Sequence, residues 1–265
     1  MEAAKKIRLN RLVHADSDSS IVIPMDHGFT MGDVPGLASI HELAWLKYSP
    51  HQALIAHKGL MERIVDAGLS FGKGLILHIN GMPLLSLRVN NKRLVSSVEQ
   101  AVYMGCDGIS VQFNFDGDND HENWESLGAI TDNAKRSQMP VLAMIYDKKT
   151  NMEYEEAIQR QRHLIRASSE LGCDFIKIAM PESQAIHDIF QGHQLASRLL
   201  IAGGNMMSSK DLLEGIKRCL RYESVKGVCI GRNVFCQKDP SQLLIRMKKE
   251  ILQPYTSTEV RYAVL

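Results

Sequence analysis

Eight short apolar runs, each followed by a stretch with helical character, constrain this chain more than any other feature of its sequence. The runs have the length and composition of buried strands. They lie at residues 19–28, 52–59, 75–81, 108–114, 139–146, 174–180, 197–204 and 228–232. Strands separated by helices pair in parallel through right-handed crossovers, and eight such units are the number that closes a (β/α)₈ barrel. We therefore expect an α/β fold of the TIM-barrel type.

The segments between the runs carry the predicted helices. A short N-terminal lead-in helix is expected at 3–14, one helix begins near residue 60, and others are expected at 41–48, 92–104, 123–137, 154–171, 183–190, 208–221 and 240–251. An open doubly wound sheet is the competing fold, but it normally shows a glycine fingerprint after its first strand, and Met25-Asp26-His27-Gly28 is not one. No linker or change in composition divides residues 1–265, so we expect one domain. The segment from Gln253 onward has no clear pattern.

Composition limits the partners and the compartment. With 265 residues, 45% of them hydrophobic, the chain can bury one large core. Its 31 basic and 30 acidic side chains give a net charge of +1, so there is no electrostatic case for nucleic acid or an anionic membrane. Five cysteines without a Cys-x-x-Cys pair, and no apolar run longer than a strand, favour a cytoplasmic protein.

A lysine in the middle of the sixth run is the first candidate for chemistry. Side chains alternate between the faces of a strand, so Lys177 shares its face with Phe175 and Ala179. A lysine between apolar neighbours is costly unless it is paired or has lost its proton. Burial lowers the pKa of a lysine, and an amine that is neutral near pH 7 attacks carbonyl carbon. The alternative is an edge strand with Lys177 in water.

Polar side chains stand at the ends of the other predicted strands. They include Asp26, His27, His57, Lys58, Asn80, Asn114 and Tyr146. Chemistry in a barrel belongs at these carboxyl ends, although each residue alone could simply cap a backbone group. Tyr146 ends the strand beside that of Lys177, so its phenol could move protons next to an iminium. Asp26 could accept from a substrate hydroxyl or hold the lysine ammonium before reaction. Together they suggest a lysine that condenses with a ketone while a carbon–carbon bond breaks or forms.

Two glycine turns after the last two strands indicate a phosphate site. Gly203-Gly204 follows the seventh run and Gly231-Arg232 ends the eighth. Phosphate sites in barrels are commonly built from the loops after strands seven and eight. Glycine lets backbone N–H groups approach an anion, and arginine adds a bidentate charge. Ordinary turn glycines with a surface arginine are the alternative.

Three histidines leave a metal site open as a rival. His27, His57 and His78 lie near the ends of three consecutive strands and could hold zinc, which would also polarise a carbonyl. Against this, His78 lies within its strand rather than at the tip, and no His-x-His spacing occurs.

Six blocks of the sequence, taken in order, resemble a known family. They are Ile-Pro-Met-Asp-His-Gly at 23–28, His-Lys-Gly at 57–59, Ala-Met-Ile-Tyr at 143–146, Phe-Ile-Lys at 175–177, Ile-Ala-Gly-Gly at 201–204 and Gly-Arg-Asn-Val-Phe at 231–235. The chain resembles the archaeal-type class I fructose-bisphosphate aldolase superfamily, and within it the 2-amino-3,7-dideoxy-D-threo-hept-6-ulosonate synthases. The first and last blocks are specific, and the resemblance covers nearly the whole chain.

The resemblance implies a barrel with a Schiff-base lysine at Lys177, a tyrosine acid/base at Tyr146 and an aspartate at Asp26. It implies no metal and no other cofactor. Substrate binding is expected at His27, His57, Lys58, Gly203, Gly204, Gly231 and Arg232. Members of the family are homo-oligomers, often pentamers or pairs of pentamers. Some join a dihydroxyacetone phosphate unit, or a ketose-derived one, to aspartate semialdehyde.

The rim of the predicted site departs from the family pattern. Asp147-Lys148-Lys149 stands where the synthases have Pro-Arg-Gly, and Asn205-Met206 replaces a proline and a basic residue. Ile178 stands where threonine is common, and Gly81-Met82 replaces a more glycine-rich turn. The expected catalytic set is kept while the rim differs, which weakens any assignment to one substrate.

We therefore expect a class I aldolase, a lyase acting on a phosphorylated ketose and an aldehyde, assembled as a pentamer or decamer. Four alternatives stay open at this stage. They are fructose-bisphosphate aldolase proper, a thiolase-like enzyme acting on a phosphorylated autoinducer product, a metal-dependent aldolase using His27 and His57, and a barrel that binds a sugar phosphate without turnover. The sequence does not identify the aldehyde or the direction of flux.

Overall fold

Eight parallel strands form a closed barrel in the computed structural model, which describes residues 3–252. The strands are β1 (Ser20–Pro24), β2 (Ala53–Ala56), β3 (Gly74–His78), β4 (Gly108–Phe115), β5 (Val141–Asp147), β6 (Phe175–Ala179), β7 (Arg198–Ala202) and β8 (Val225–Cys229). Each strand pairs with its neighbours in chain order, and β8 closes on β1, where Ser20 lies opposite Gly227. The expected (β/α)₈ barrel is confirmed.

Helices connect the strands on the outside of the barrel. They are α1 (Ala3–Leu12), α2 (His27–Met31), a 3₁₀ helix (Ile40–Lys47), α3 (Lys58–Asp66), α4 (Val98–Tyr103), α5 (Asp120–Arg136), α6 (Tyr154–Glu170), α7 (Ile186–Phe190), α8 (Ser209–Cys219), α9 (Arg232–Phe235) and α10 (Pro240–Leu252). Within residues 3–252, none of these helices has the length and apolar character needed to cross a bilayer. The segment from Gln253 lies outside the described residues, and the single domain over residues 1–265 stays a prediction.

The predicted helix over 92–104 is wrong in its first half. Arg93–Leu94 pairs antiparallel with Asn80–Gly81 just after β3, and the helix itself begins only after Ser97. The hydroxyl of Ser97 accepts a hydrogen bond of 3.1 Å from the backbone N–H of Gln100, which caps α4. Leu94 is 59% exposed, so it does not continue the apolar stripe of the helix. Backbone pairing with the end of β3 therefore outweighs the helical periodicity in this segment.

Apolar side chains fill the barrel from its N-terminal end. The cluster contains Leu9, Leu12, Val22, Ala53, Ile55, Ile76, Leu142, Met144, Phe175, Leu200 and Cys229. Leu9 and Leu12 belong to α1, which therefore closes this end of the barrel. The fit is tight, since a Cβ on Gly74 would lie 2.6 Å from the Leu12 side chain. Because this end is packed with apolar atoms, polar chemistry is restricted to the opposite end.

Candidate active site

A cavity of about 330 Å³ opens at the carboxyl ends of the barrel strands. Its walls include eight of the ten residues predicted for the site. These are Asp26, His27, Tyr146, Lys177, Gly203, Gly204, Gly231 and Arg232. They come from β1, β5, β6, β7, β8 and the loops that follow, so the closure of the barrel brings together residues from distant parts of the sequence.

The other two predicted residues lie elsewhere. His57 precedes α3 and packs against Phe29 and His78, with ring centroids 4.9 and 5.0 Å away. Lys58 is the first residue of α3 and is exposed. Neither side chain belongs to the cavity wall. Their substrate-binding roles have no support from the geometry of the cavity.

Lys177 lies inside the barrel, with 5% of its surface exposed. Strand β6 holds it between Met144 of β5 and Leu200 of β7. Its Nζ lies 3.6 Å from the sulfur of Met144 and 5.9 Å from the ring centroid of Tyr146. The amine is therefore at the floor of the cavity, shielded from bulk water, and reaches it from the middle of a strand rather than from a mobile loop.

The pKa of Lys177 differs from the sequence-based expectation. Burial by itself lowers the pKa of the amine, but Cys229, Tyr146 and Asp26 together raise it above its ordinary value. Burial raises the pKa of the Cys229 thiol to about 11, and it also raises the pKa of the Tyr146 phenol. Both groups are therefore neutral at pH 7, so of the three it is the Asp26 carboxylate whose negative charge favours the ammonium form. The raised pKa favours a resting ammonium on Lys177, one of the two states that the sequence left open.

Asp26 is a buried carboxylate surrounded by imidazoles. Its two oxygens lie 3.8 Å from His27 Nδ1 and 3.8 Å from His78 Nε2. Burial by itself raises the pKa of Asp26, but His78, His27 and Lys177 lower it below its ordinary value. Burial also lowers the pKa of His78 to about 3 and that of His27 below its ordinary value. Both imidazoles are then neutral at pH 7, so Lys177 supplies the positive charge that keeps Asp26 ionised.

The two glycine turns meet at the side of the cavity opposite β3 and β4. The Arg232 guanidinium donates to the Gly204 carbonyl over 3.3 Å, which joins one turn to the other. Gly204 has φ +65°, a conformation that favours glycine. A Cβ on Gly231 would lie 2.6 Å from the His27 ring and 2.7 Å from the carbonyl oxygen of Pro24. The backbone here can therefore approach a ligand closely, and a larger residue would not fit.

Asn233 holds these turns in place, a role that the sequence analysis did not assign. Its side chain is 1% exposed. Its amide donates to the carbonyls of Gly203 and Asn205, over 3.1 and 2.9 Å, and its oxygen accepts from the N–H of Met207 over 3.0 Å. The signal was available, because Asn233 belongs to the specific block at 231–235.

Other residues line the cavity although they were not predicted to do so. Among them are Gln112 on β4, Lys148 just after β5, and Cys229 on β8. The Nζ of Lys148 lies 5.6 Å from the Tyr146 ring centroid, on the rim. Its neighbours are tied to other charges, since Asp147 pairs with Arg160 and Lys149 with Glu156. Lys148 is thus the residue of this segment that faces the cavity.

The three histidines of the metal hypothesis lie close together around Asp26 but are not arranged as metal ligands. Within residues 3–252, no group of three His, Cys, Asp or Glu side chains has the geometry to hold a metal ion. A larger cavity of about 750 Å³ lies on the flank of the barrel between α4, α5 and the segment around Arg93. Lys177, Asp26 and Tyr146 do not line it, so the smaller cavity is the candidate active site.

Residues 20–237 match the family described as DeoC/LacD family aldolase, and this range contains all eight strands. The chain belongs to the DeoC/LacD aldolase family. The aldolase is 30% identical over 246 residues to the 2-amino-3,7-dideoxy-D-threo-hept-6-ulosonate synthase of Halobacterium salinarum, a match that covers 91% of this chain and 89% of the relative. It is 27% identical over 241 residues to the 2-amino-4,5-dihydroxy-6-oxo-7-(phosphonooxy)heptanoate synthase of Streptomyces griseus, with coverage of 91% and 87%. The sequence-based resemblance is confirmed.

A solved structure agrees with the fold of the aldolase. A Schiff-base-forming fructose-1,6-bisphosphate aldolase superposes with a TM-score of 0.78 at 20% identity, and the match covers 93% of this chain and 99% of the other. Family and relatives together make the protein an aldolase, an enzyme that forms or cleaves a carbon–carbon bond.

Proposed function

We propose that this aldolase forms or cleaves a carbon–carbon bond of a phosphorylated ketose through a Schiff base on Lys177. The donor is dihydroxyacetone phosphate or a ketose-derived unit, and the acceptor is an aldehyde such as aspartate semialdehyde. One observation carries the proposal: a buried lysine at the floor of a cavity whose wall contains two glycine turns and an arginine. A ketose phosphate can place its phosphate at the turns while its carbonyl reaches the amine.

The first step starts with Asp26, the carboxylate whose charge acts on Lys177. When the ketone enters, Asp26 accepts a proton from the ammonium, and the neutral amine forms a C–N bond to the carbonyl carbon. The carbonyl oxygen takes a proton from the attacking nitrogen to become a hydroxyl, which accepts a second proton from the Tyr146 phenol and leaves as water. Ammonium and ketone thereby become an iminium and one water. Burial favours this order of steps, because a proton that passes from Lys177 to Asp26 need not be exchanged with bulk solvent.

The second step uses the positive charge of the iminium. The iminium withdraws the electron pair of the bond between its α and β carbons, while the β-hydroxyl loses its proton to the Tyr146 phenolate and becomes an aldehyde. The donor fragment is left on the lysine as an enamine. The same steps in the reverse order join the enamine and the aldehyde. Tyr146 is suited to this exchange because its ring lies next to Lys177 Nζ. The nearby cation lowers the cost of the phenolate in the step that needs it.

The substrate phosphate is assigned to Gly203, Gly204, Gly231 and Arg232. Their backbone N–H groups and the guanidinium offer donors and positive charge to a dianion. Both relatives are synthases of seven-carbon amino products, which supports an acceptor related to an amino acid. Lys148 stands on the same rim in place of the arginine expected from the family pattern.

Reduction with borohydride tests the proposal. The protein is incubated with dihydroxyacetone phosphate, fructose 1,6-bisphosphate or another candidate ketose, reduced, and measured by intact mass and peptide mapping. We expect a stable adduct on Lys177, which Lys177→Met abolishes while the fold is retained, because methionine conserves the volume of the buried side chain. Lys149→Met is the matched control, since Lys149 is exposed and paired with Glu156. An adduct that persists in Lys177→Met would refute the assignment.

We further propose a homo-oligomer, a pentamer or a pair of pentamers, on the basis of the family resemblance. Size-exclusion chromatography with light scattering gives the mass directly, and a monomer at micromolar concentration would contradict the proposal.

A further inference from the structure

His78 lies at the centre of the site, and the reaction steps described above give it no role. It is the last residue of β3 and only 2% of its surface is exposed. Strand alternation places it on the same face as Ile76, inside the barrel. A fully buried histidine in this position is costly unless its ring nitrogens have partners.

One ring nitrogen of His78 is held by the neighbouring strand. His78 and Ser110 are register partners on β3 and β4, and Nδ1 lies 2.8 Å from the Ser110 hydroxyl oxygen. The other nitrogen, Nε2, lies 3.8 Å from an oxygen of Asp26. A line of groups therefore runs from Ser110 through His78 to Asp26, and the charge of Asp26 acts in turn on the amine of Lys177.

Asp26 has few other groups to fix its orientation. Among residues 3–252, its second carboxylate oxygen is buried without a hydrogen-bond partner. The titratable groups that act on Asp26, or on which it acts, are His27, His57, His78, Lys92, Tyr146, Lys177 and Cys229. Of these, His78 is the neutral group that is itself anchored to a second strand by a hydrogen bond.

The neutral imidazole has two tautomers, and the surroundings choose between them. If the Ser110 hydroxyl donates to Nδ1, the hydrogen lies on Nε2 and faces the Asp26 carboxylate. In the other tautomer a lone pair faces the carboxylate, which is repulsive in a buried site. The hydroxyl of Ser110 rotates freely enough to take the donor role.

We propose that His78, held in the Nε2–H tautomer by Ser110, is a positioning residue that keeps the Asp26 carboxylate ionised and directed at Lys177. The inference rests on the proposed Schiff-base function of Lys177. It adds a specific dependence: His78 partly sets the acid limb of the pH profile for the rate of adduct formation. The site is inactive when both Lys177 and Asp26 carry protons, and an N–H directed at the carboxylate lowers the pH at which that happens.

The chain contains a matched control for this arrangement. His51 is 3% exposed, its Nδ1 lies 2.7 Å from the Ser49 hydroxyl oxygen, and burial lowers its pKa to about 3. Its surroundings hold Lys73 rather than a carboxylate, and it lies before β2, away from the cavity wall. Substitution of His51 therefore lowers the stability by disrupting a buried Ser–His pair, but it leaves Asp26 unaffected.

The test compares His78→Leu, His78→Gln and Ser110→Ala with His51→Leu and Ser49→Ala. The rate of formation of the cyanoborohydride-trapped adduct is measured from pH 3 to pH 8, with thermal unfolding recorded for each protein. We expect the acid limb to move to higher pH by about one unit in His78→Leu and Ser110→Ala, because the N–H that faces the buried carboxylate from 3.8 Å is removed or turned away. His78→Gln, which keeps an N–H donor, should restore most of the wild-type profile. The control pair should lower the melting temperature and leave the profile unchanged.

A second measurement separates this inference from the proposed function. The carboxyl ¹³C shift of Asp26, assigned with Asp26→Asn, gives the titration of that group whether or not an adduct forms. If the wild-type enzyme gives no adduct with any ketose, the proposed function fails, and the ¹³C titration still decides the role of His78. If His78→Leu does not fold, Ser110→Ala decides. The inference would be overturned if the acid limb and the Asp26 titration keep their wild-type pH in the folded variants. It would also be overturned if they shift equally in the His51 control.

Discussion

Asn233→Ala tests how the glycine turns are held in place. The side chain of Asn233 makes three hydrogen bonds, two to the carbonyls of Gly203 and Asn205 and one from the N–H of Met207. Alanine removes all three at once. Because they join the start of α9 to the loop after β7, their loss should free the loop that carries Gly203 and Gly204.

The size of the effect depends on the burial of each partner. Gly203 is buried, so its carbonyl loses a partner that water replaces poorly, at a cost of about 1–3 kcal/mol. Asn205 is exposed and Met207 half-buried, so water can replace most of their hydrogen bonds, and each contributes about 0.5–1 kcal/mol. The sum is a loss of about 2–5 kcal/mol in the free energy of unfolding. For a domain of this size that corresponds to a fall in Tm of roughly 4–20 °C.

Urea denaturation gives the stability, and steady-state kinetics with a ketose phosphate gives the effect on binding. We expect KM for the phosphorylated ketose to rise by about tenfold, since a loosened turn holds phosphate less well. Adduct formation with dihydroxyacetone, which has no phosphate, should stay nearly unchanged. Asn205→Ala is the control, because Asn205 contributes only its backbone carbonyl to the bond with Asn233. Equal losses in the two variants, or a wild-type KM in Asn233→Ala, would refute the reasoning.

Three further predictions concern the same end of the barrel and the buried histidines. Gly231→Ala should lower the free energy of unfolding by about 1–3 kcal/mol and weaken ketose phosphate binding, because the new Cβ overlaps the His27 ring. Urea denaturation measures the first effect and KM the second. Wild-type values of both would contradict the close approach of the Gly231 backbone to the His27 ring. Tyr146→Phe should lower kcat by about 10²-fold or more, while the trapped adduct still forms but more slowly, since the phenol also acts in the first step; a loss of adduct and of binding together would make Tyr146 a packing residue instead. His51 and His78 have pKa values of about 3 in the folded protein against an ordinary 6.5, so the unfolded chain binds more protons between these values. The free energy of unfolding should therefore fall as the pH drops from 6.5 towards 3, by up to about 1.4 kcal/mol per pH unit for each histidine. Urea denaturation at pH 7, 6, 5 and 4 measures this fall. If no fall is seen, the two histidines are not buried as neutral groups.

Much of the architecture could be predicted because it depends on local patterns. Lys177 was placed on a buried strand face by strand alternation, and the structure has it between Met144 and Leu200. The same reasoning located Tyr146 and the two glycine turns at strand ends. The helix over 92–104 was mispredicted because its periodic apolar residues carry no information about the backbone of Asn80–Gly81, with which Arg93–Leu94 pairs.

The properties of the site depended on neighbours that are close only in space. The pKa of Lys177 rises rather than falls because of Cys229, Tyr146 and Asp26, which come from other parts of the sequence. His57 and Lys58 stand at a strand end like the others, yet neither belongs to the cavity wall.

The sequence by itself determined the order of the strands, their inward and outward faces and the end of the barrel that could be polar, because these follow from alternation, turn residues and the number of repeats. Only the tertiary structure decided which of those polar residues meet, and with what charge. Electrostatic interactions in a buried site depend on distance and solvent exclusion, and the alignment of Ser110, His78 and Asp26 exists only once eight strands have closed into a ring.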